Sequence, residues 1–455
     1  MNETILPEGW SNCTFADIAE VNPKKIKAEQ NLNAGFIPMS HAPMNYNGKL
    51  EFEEKTWSEI GKSYTNFKND DVIFAKVTPC FENGKAAIVK NMPNGIGAGS
   101  SEFYVLRARN KEIPANYLLG VIKTKKFMQE GAENMTGAVG LRRVPKAFVE
   151  SFPLILPPVA EQKVIVEKLD TLLAQVDSAK ARLEQIPQIL KRFRQSVLSA
   201  AVSGKLTEEW RGTATPNNWK KGILKNFIKK PSYGTSAKSQ REGLIPVLRM
   251  GNLQSGKLDW SDLVYTSDEN EIDKYNLMAG DILFNRTNSP ELVGKTSIYR
   301  GERGAIYAGY LIKVQCLEEL NPEYLNYHLN SYIAKQYCHE VKSDGVSQSN
   351  INAQKLAAYP LEVPPIEEQA EIVRRVEQLF AYADTIEKQV QNTLERVNNL
   401  TQSILAKAFR GELTAQWRAE NPGLISGENS AEALLVRIKQ ERLKNKPVKR
   451  GKGNS

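Results

Sequence analysis

Apolar residues recur at alternating four- and three-residue intervals through two long stretches of this chain. The first stretch runs from Ile165 to Val197, and the second runs from Ile372 to Ile404. A 3.5-residue period held this long predicts a helix with a seam for a partner helix. The seam residues predicted to pair the helices are Leu169, Leu172, Val176, Leu183 and Leu190 in the first stretch and Val376, Leu379, Ala383, Val390 and Val397 in the second.

The two stretches belong to an internal repeat. Residues 154–211 align with residues 361–418 without a gap, and roughly a third of the positions are identical. A Pro-Pro pair before each copy disfavours helix upstream, and Gly204 and Gly411 are suited to ending each helix. About 44 helical residues in each copy would span roughly 66 Å. Pro187 is expected to kink the first helix.

The simplest pairing joins the two copies as an antiparallel coiled coil, with a globular segment at each end. The alternative is that each helix packs on its own domain, but a seam two residues wide is narrow for a domain face.

The segments before the helices show period-2 apolar patterns interrupted by Gly, Pro and Asn, which predict β-rich domains. They are faintly related to each other, since each opens with Pro-x-x-Trp, at Pro7 and at Pro216. The predicted fold is therefore α/β (α+β), with two β-rich domains separated by two long helices and pseudo-twofold symmetry. The predicted divisions are a domain at 1–155, a spacer helix at 156–212, a domain at 213–362, a spacer helix at 363–420 and a basic tail at 421–455.

The charge is concentrated at the C-terminus. The 455 residues include 61 Lys+Arg and 52 Asp+Glu, a formal charge of +9, but residues 436–455 hold eight Lys/Arg and one Glu. This end is expected to be either frayed and solvated or an accessory contact to DNA or a partner. Four scattered cysteines, no signal-peptide pattern and no long apolar run predict a reducing, cytoplasmic setting without membrane insertion.

Motifs for catalysis and metal binding are weak. The three histidines and the absence of CxxC or HExxH patterns predict no metal site. Gly294-Lys295-Thr296 resembles the end of a phosphate-binding loop, but an earlier glycine is missing and the following residues have a strand pattern, so a hairpin is favoured. The glycine-rich residues 95–99 are predicted to form a flexible loop. We expect no catalytic residue and interpret the chain as a binding or scaffolding subunit.

Two related domains held apart by helices suit a bipartite target, and duplex DNA repeats its face every 10–10.5 base pairs. Polar and basic loops in each domain have side chains suited to base edges and phosphates. The candidate DNA-binding residues are Lys76, Thr78, Lys85, Arg142 and Arg143 in the first domain and Arg286, Asn288, Lys295, Gln348 and Asn350 in the second.

The whole pattern resembles the specificity subunit of type I restriction–modification systems, in particular the enterobacterial type IA subfamily. The resemblance rests on the Leu-Pro-Glu-Gly-Trp start, on Pro-Pro-x-x-Glu-Gln before each helix, and on Gly-Lys-Leu-Thr-Glu and Gly-Glu-Leu-Thr-Ala after them. It is close in the helices and loose in the domains.

The resemblance implies two target-recognition domains, each binding one half of an asymmetric bipartite site on double-stranded DNA. It also implies two modification subunits, which carry S-adenosylmethionine and methylate adenine at N6, and two restriction subunits, which use ATP and Mg²⁺. This chain would bind no cofactor itself, and its helices would set the half-site spacing and dock the partners. Two alternatives remain: a coiled-coil assembly adaptor without sequence-specific DNA binding, and a phosphate-binding enzyme, for which the sequence lacks a complete glycine loop.

Overall fold

A computed structural model describes residues 6–346 and 348–444 of the chain. The chain divides into two compact units. The first unit comprises Met1–Glu184 and Asn392–Ser455, and the second comprises Gln185–Gln391. Both divisions fall inside the long helices, so each long helix contributes one part to each unit.

The first unit is built from short strands and helices ahead of the first long helix. The strands are β1 (Ser11–Thr14), β2 (Ala19–Val21), β3 (Asn33–Ile37), β4 (Glu53–Thr56), β5 (Thr65–Lys68), β6 (Val72–Ala75), β7 (Ala86–Ile88), β8 (Ile96–Gly99), β9 (Phe103–Ala108), β10 (Thr136–Ala138), β11 (Leu141–Arg143) and β12 (Pro153–Leu156). The helices are α1 (Phe15–Ile18), α2 (Trp57–Ile60), α3 (Ala115–Ile122), α4 (Lys125–Glu133), α5 (Lys146–Ser151) and the long helix α6 (Val159–Val202).

Two four-stranded sheets form the centre of the first unit, in the orders β2-β9-β6-β7 and β4-β3-β8-β5. Alternate side chains of a strand point to opposite faces of the sheet, and in strand β6 the side chains on both faces are buried. Val72 and Phe74 join the apolar core that includes α3 and the start of α6, whereas Ile73 joins a second core against the other sheet.

The flexible loop predicted at residues 95–99 is wrong, because residues 96–99 form strand β8 and Gly95 ends the short 3-10 helix before it. It pairs in parallel with β3 and antiparallel with β5. Its glycines allow close packing: a Cβ at Gly97 would lie 2.6 Å from the carbonyl oxygen of Gly35 and 2.6 Å from the ring of Phe67. Glycine in a strand interior often marks such a close approach.

The second unit repeats this plan with shorter strands. Its strands are β13 (Lys220–Ile223), β14 (Ser232–Tyr233), β15 (Ile245–Leu248), β16 (Leu253–Gln254), β17 (Lys257–Leu258), β18 (Val264–Thr266), β19 (Ile282–Asn285), β20 (Thr287–Asn288), β21 (Thr296–Ile298), β22 (Ile306–Tyr307), β23 (Leu311–Val314), β24 (Ser343–Asp344), β25 (Ser349–Asn350) and β26 (Pro360–Val363). The helices are α7 (Glu208–Arg211), α8 (Glu269–Tyr275), α9 (Pro322–Asn330), α10 (Tyr332–Val341), α11 (Ala353–Ala357) and the long helix α12 (Ile366–Phe409).

The repeat is visible in the sheet order. The sheet β14-β23-β19-β21 corresponds to β2-β9-β6-β7, and the pair β13–β26 corresponds to β1–β12, just before each long helix. The predicted α/β fold, with two β-rich domains and two long helices, is confirmed. Strand β21 also confirms that the Gly294-Lys295-Thr296 segment enters a strand rather than a helix.

Both long helices contain 44 residues. Each ends before a glycine in the left-handed region, Gly204 at φ 75° and Gly411 at φ 77°, as the sequence predicts. Helix α6 continues through Pro187 as one element. Within the described residues, no helix has the length and apolar character needed to cross a membrane.

The long helices run antiparallel within each unit. In the second unit, Arg194 of α6 pairs with Asp384 at 2.7 Å and Glu387 at 2.8 Å in α12. In the first unit, Lys168 donates to the backbone oxygen of Leu413 at 3.1 Å, just beyond the end of α12.

The residues predicted to pair the helices differ in burial. Most are buried, namely Leu169, Leu190, Val376, Ala383, Val390 and Val397, and the others are half-buried, namely Leu172, Val176, Leu183 and Leu379. Beside Leu172, the neighbouring Leu173 is fully buried and belongs to the core of the first domain. The start of each long helix therefore packs on the domain that precedes it, as the alternative interpretation proposed. The C-terminal parts do not: Val197 of α6 belongs to the core of the second unit, and Leu405 of α12 belongs to the core of the first.

Part of the basic tail folds. The first unit continues after the second long helix with two further helices, α13 (Ala415–Glu420) and α14 (Ala431–Lys444). Ala431, Leu434 and Ile438 of α14 are buried in the core of the first domain. A frayed, solvated end is therefore wrong for residues 436–444, because their helix has an apolar face. Residues 445–455 lie outside the described part of the chain.

Candidate nucleic-acid interface

A two-stranded hairpin, β10–β11, carries the first group of candidate residues; we call it the first ribbon. It is joined to the segment that follows β6, because the amide of Thr78 donates to the carbonyl of Arg142 at 3.0 Å. The amide of Val144 donates to the carbonyl of Lys76 at 2.9 Å. The structure thus brings Lys76, Thr78, Arg142 and Arg143 to one place.

The two arginines of the first ribbon differ in what they contact. Arg143 forms a bidentate ion pair with Glu102, with nitrogen–oxygen distances of 2.9 and 2.7 Å. This contact raises the pKa of Arg143 and lowers the pKa of Glu102. Arg142 is exposed and lies 4.0 Å from Glu82, so its guanidinium is freer to bind an anion.

The side chains of the remaining candidates in the first domain contact groups of the same domain. Lys76 Nζ lies 5.4 Å from the centroid of the Tyr104 ring, and Thr78 Oγ1 donates to Glu82 at 3.2 Å. Lys85 Nζ donates to the carbonyl of Met39 at 2.9 Å. The structure directs this lysine at the backbone of its own domain rather than at the ribbon.

The second unit has an equivalent hairpin, β24–β25, which we call the second ribbon. It forms a three-stranded sheet with β20, in which Thr287 lies opposite Asn350 and Asn288 lies opposite Ser349. Asn350 Nδ2 donates to Thr287 Oγ1 at 2.8 Å. The sheet therefore brings Asn288 and Asn350 together, although they are far apart in sequence.

Arg286 lies directly before β20 and is held by an aromatic ring. Its guanidinium carbon is 4.7 Å from the centroid of Tyr233, and the Tyr233 hydroxyl accepts a hydrogen bond from the amide of Ala353 at 3.0 Å. Among the described residues, no carboxylate forms an ion pair with Arg286, and its buried Nε has no hydrogen-bond partner. The guanidinium is thus positioned but not neutralised.

The other two candidates of the second domain are less constrained. Lys295 Nζ lies 3.4 Å from Gln254 Oε1. Gln348 is exposed on the second ribbon, and its carbonyl accepts a hydrogen bond from the amide of Gly345 at 2.8 Å.

Sequence reasoning missed Tyr233 and Glu102, which determine how Arg286 and Arg143 are held. Tyr233 follows two lysines, and an aromatic residue within a basic segment is a signal that could have drawn attention to it. Glu102 has no comparable signal, because its partner Arg143 is 41 residues away in sequence.

The repeated motifs around the helices build one polar cluster in each unit. In the first unit, the fully buried carboxylate of Glu161 accepts hydrogen bonds from Trp10 at 2.8 Å, Thr414 at 2.6 Å and Arg418 at 2.9 Å. We call this set the Glu161 cluster. It connects the start of the first domain, the start of α6 and the segment after α12.

The second unit repeats this cluster with its own residues. Glu368 accepts hydrogen bonds from Trp219 at 3.0 Å, from Thr207 at 2.8 Å and from Arg211. We call this set the Glu368 cluster. The two clusters explain why Trp, Glu, Thr and Arg recur at matching positions of the repeat.

The described residues offer no metal site, since no three or more His, Cys, Asp or Glu side chains are grouped suitably within them. That the chain binds neither metal nor cofactor stays a prediction.

Known proteins share this sequence pattern and architecture. The family model for the type I restriction modification DNA specificity domain matches residues 7–188 and 216–396. The chain is 39% identical over 459 residues to the EcoKI specificity subunit of Escherichia coli (strain K12), covering 97% of each chain. It is 38% identical to the StySPI specificity subunit of Salmonella potsdam, again with 97% of each chain covered.

Solved structures share the fold at lower identity. A chain from a structure on complex assembly and conformational transition of the type I R-M system gives a TM-score of 0.66 at 19% identity, over 90% of this chain and 99% of that one. The HsdS subunit from Thermoanaerobacter tengcongensis gives a TM-score of 0.62 at 19% identity with the same coverage. With the family model matched twice and the curated relatives matched over nearly their full length, this chain belongs to the family of type I restriction–modification specificity subunits.

Proposed function

We propose that this chain determines the DNA sequence recognised by a type I restriction–modification complex. Each β-rich domain binds one half of an asymmetric, bipartite site on double-stranded DNA. The observation that carries the proposal is the pair of equivalent ribbons, one in each unit, with exposed polar side chains such as Arg142 and Gln348. A two-stranded β-ribbon is narrow enough to enter the major groove of B-DNA.

Differences between the ribbons suit two unlike half-sites. The first ribbon has Arg142 and Arg143 where the second has Ser349 and Asn350. Arginine forms paired hydrogen bonds with guanine, and asparagine does so with adenine. The two domains share one fold but carry different side chains on their ribbons, and they would therefore recognise different DNA sequences.

The long helices set the spacing between the two half-sites in this proposal. A 44-residue helix extends roughly 66 Å, which corresponds to about 20 base pairs of duplex. The tie between each domain and its helix through the Glu161 and Glu368 clusters would keep that spacing constant.

The proposal assigns the chemistry to other subunits. Two modification subunits would bind S-adenosylmethionine and methylate adenine, and two restriction subunits would use ATP and Mg²⁺. This chain would hold neither a cofactor nor a catalytic residue, and it would work in the cytoplasm with its partners docked on the helices. Adenine must leave the base stack for methylation, so accurate placement of the site is this chain's contribution.

The test is to sequence the methylated positions of DNA modified by this chain with its modification subunits. We expect one bipartite sequence with a fixed spacer. Exchanging residues 1–155 for the corresponding domain of a relative should then change one half-site only. Methylation without sequence selectivity would support the assembly adaptor instead, and a change in both half-sites would contradict independent recognition.

A further inference from the structure

The tip of each ribbon carries a valine that is fully exposed to solvent. Val139 has a relative exposure of 102% and Val346 of 110%, the highest values among the exposed large hydrophobic residues of the described chain. The two valines occupy equivalent positions in the repeat, since residues 136–143 correspond to residues 343–350.

Folding gives no reason for an apolar residue at either tip. In the first ribbon, Ala138 pairs with Leu141, so Val139 and Gly140 form a two-residue turn, and Gly140 supplies the positive φ of 81°. In the second ribbon, Val346 lies between Gly345 and Gln348, and the amide of Gly345 donates a hydrogen bond to the carbonyl of Gln348. Gly, Asn and Asp are the usual residues of such turns, and a valine there buries no surface.

Backbone hydrogen bonds join each ribbon to a neighbouring segment of its own domain. The first is anchored through Thr78 and Arg142, and the second is the edge of a three-stranded sheet with β20. Exposed hydrogen-bonding side chains, Arg142 in one ribbon and Gln348 in the other, lie close to each tip in sequence. An apolar tip beside hydrogen-bonding groups is complementary to the major-groove edge of an A·T pair, where the thymine methyl group lies beside hydrogen-bonding atoms.

We propose that Val139 and Val346 each contact the C5-methyl group of a thymine, one in each half of the DNA site. The inference rests on the proposed function and adds an apolar, sequence-specific contact to the polar contacts of the candidate loops. It makes the two tips determinants of specificity for thymine in their own half-sites.

The test uses the full chain bound to its modification subunits and duplexes in which single thymines are replaced by deoxyuridine, which removes only the methyl group. Binding is measured for each duplex by equilibrium titration. We expect one thymine in each half-site to be sensitive, with a loss of about fourfold, as for one buried methyl-sized group.

Val139→Ala should remove that sensitivity in the first half-site and leave it in the second, and Val346→Ala should do the reverse. A turn alanine keeps the backbone of the ribbon, and circular dichroism of the complex checks that it does. Val436→Ala is the matched control, because this valine is 49% exposed on α14 and distant in sequence from both ribbons.

The proposal is overturned if the deoxyuridine profile of Val139→Ala equals that of the wild type, or if no thymine in a half-site is sensitive to deoxyuridine replacement in the wild-type complex. It is also overturned if the valine acts as a wedge, which would appear as unstacking of a base step in 2-aminopurine fluorescence without sensitivity to the methyl group. Failure of the proposed function is distinct, because the wild-type complex would then show no preference for any duplex sequence.

Discussion

The indole nitrogen of Trp10 donates a hydrogen bond to Oε2 of Glu161 at 2.8 Å, across 151 residues of sequence. Trp219 and Glu368 repeat this relationship across 149 residues in the second unit. Both carboxylates are almost completely buried, and each has one arginine as its ion-pair partner. The start of each domain is thereby fixed to the start of the long helix that follows it.

Glu161→Gln should destabilise the first unit by about 3 kcal/mol, because Arg418 would remain buried without a counter-charge. Hydrogen exchange measured by mass spectrometry should show faster exchange around residues 411–418 and unchanged exchange around residues 204–211. Glu368→Gln should produce the converse. Glu362→Gln is the control, since Glu362 pairs with Lys221 on the surface and an exposed pair contributes less than about 1 kcal/mol. Equal exchange in Glu161→Gln and Glu362→Gln would contradict the importance of the buried pair.

Arg286→Lys should relax recognition at one base pair of the second half-site. A lysine cannot keep the planar, bidentate geometry of a guanidinium stacked on Tyr233. Loss of one bidentate contact corresponds to about 1–3 kcal/mol of discrimination. Methylation rates on duplexes with single substitutions in each half-site measure the effect.

Two substitutions of Tyr233 test whether its ring positions the guanidinium of Arg286. The phenylalanine variant keeps the ring under Arg286 and should retain most of the discrimination, whereas the alanine variant should lose it at the same base pair as Arg286→Lys. Arg300→Lys is the control, because Arg300 is paired with Glu323 at 2.6 Å. If Arg300→Lys relaxed recognition at the same base pair, the effect would not be specific to Arg286 and the prediction would be wrong.

Arg142 should contribute more than Arg143 to the salt dependence of DNA binding. Glu102 neutralises Arg143, whereas Arg142 has only a 4.0 Å contact with Glu82. Arg142→Gln should lower the slope of log affinity against log salt by about 0.9 if it releases one counterion, and Arg143→Gln should lower it less. Titrations at several salt concentrations test this order, and equal slopes for the two variants would contradict it.

The second domain should lose stability as the pH falls from about 6.5 to about 4. His328 is buried beside the Tyr359 hydroxyl, with an Nδ1–oxygen distance of 3.0 Å. Burial lowers its pKa to about 4, so the unfolded chain binds a proton in this range that the folded chain does not. Each pH unit below the ordinary value of about 6.5 then lowers the free energy of unfolding by about 1.4 kcal/mol.

His328→Gln should therefore lose less stability than the wild type between pH 7 and pH 5 in urea unfolding followed by hydrogen exchange. His339→Gln, at an exposed position on α10, should keep the wild-type pH dependence. A wild-type dependence in His328→Gln would show that another group is responsible.

The long helices could be predicted from sequence because their signals are local: a sustained apolar period, a Pro-Pro pair before each start and a glycine after each end. Strand β8 could not, because its glycines look like a loop until the backbone of Gly35 lies against Gly97. Composition drew attention to the candidate loops, whose role in DNA binding stays a prediction, but the availability of each side chain depends on distant partners. Glu102 engages Arg143 and Tyr233 holds Arg286, and neither relationship has a periodic signature.

Deleting one heptad from each long helix should shorten the spacer between half-sites. Residues 176–182 of α6 and 393–399 of α12 are suitable, since both lie in the first unit and both deletions keep the 3.5-residue period. Seven residues correspond to about 10.5 Å of helix, or about three base pairs. Sequencing of methylated DNA should show the same half-sites at the shorter spacing, and inserting one heptad at each position should lengthen it by a similar amount. Retention of the original spacing in both variants would mean that the helices do not set the distance.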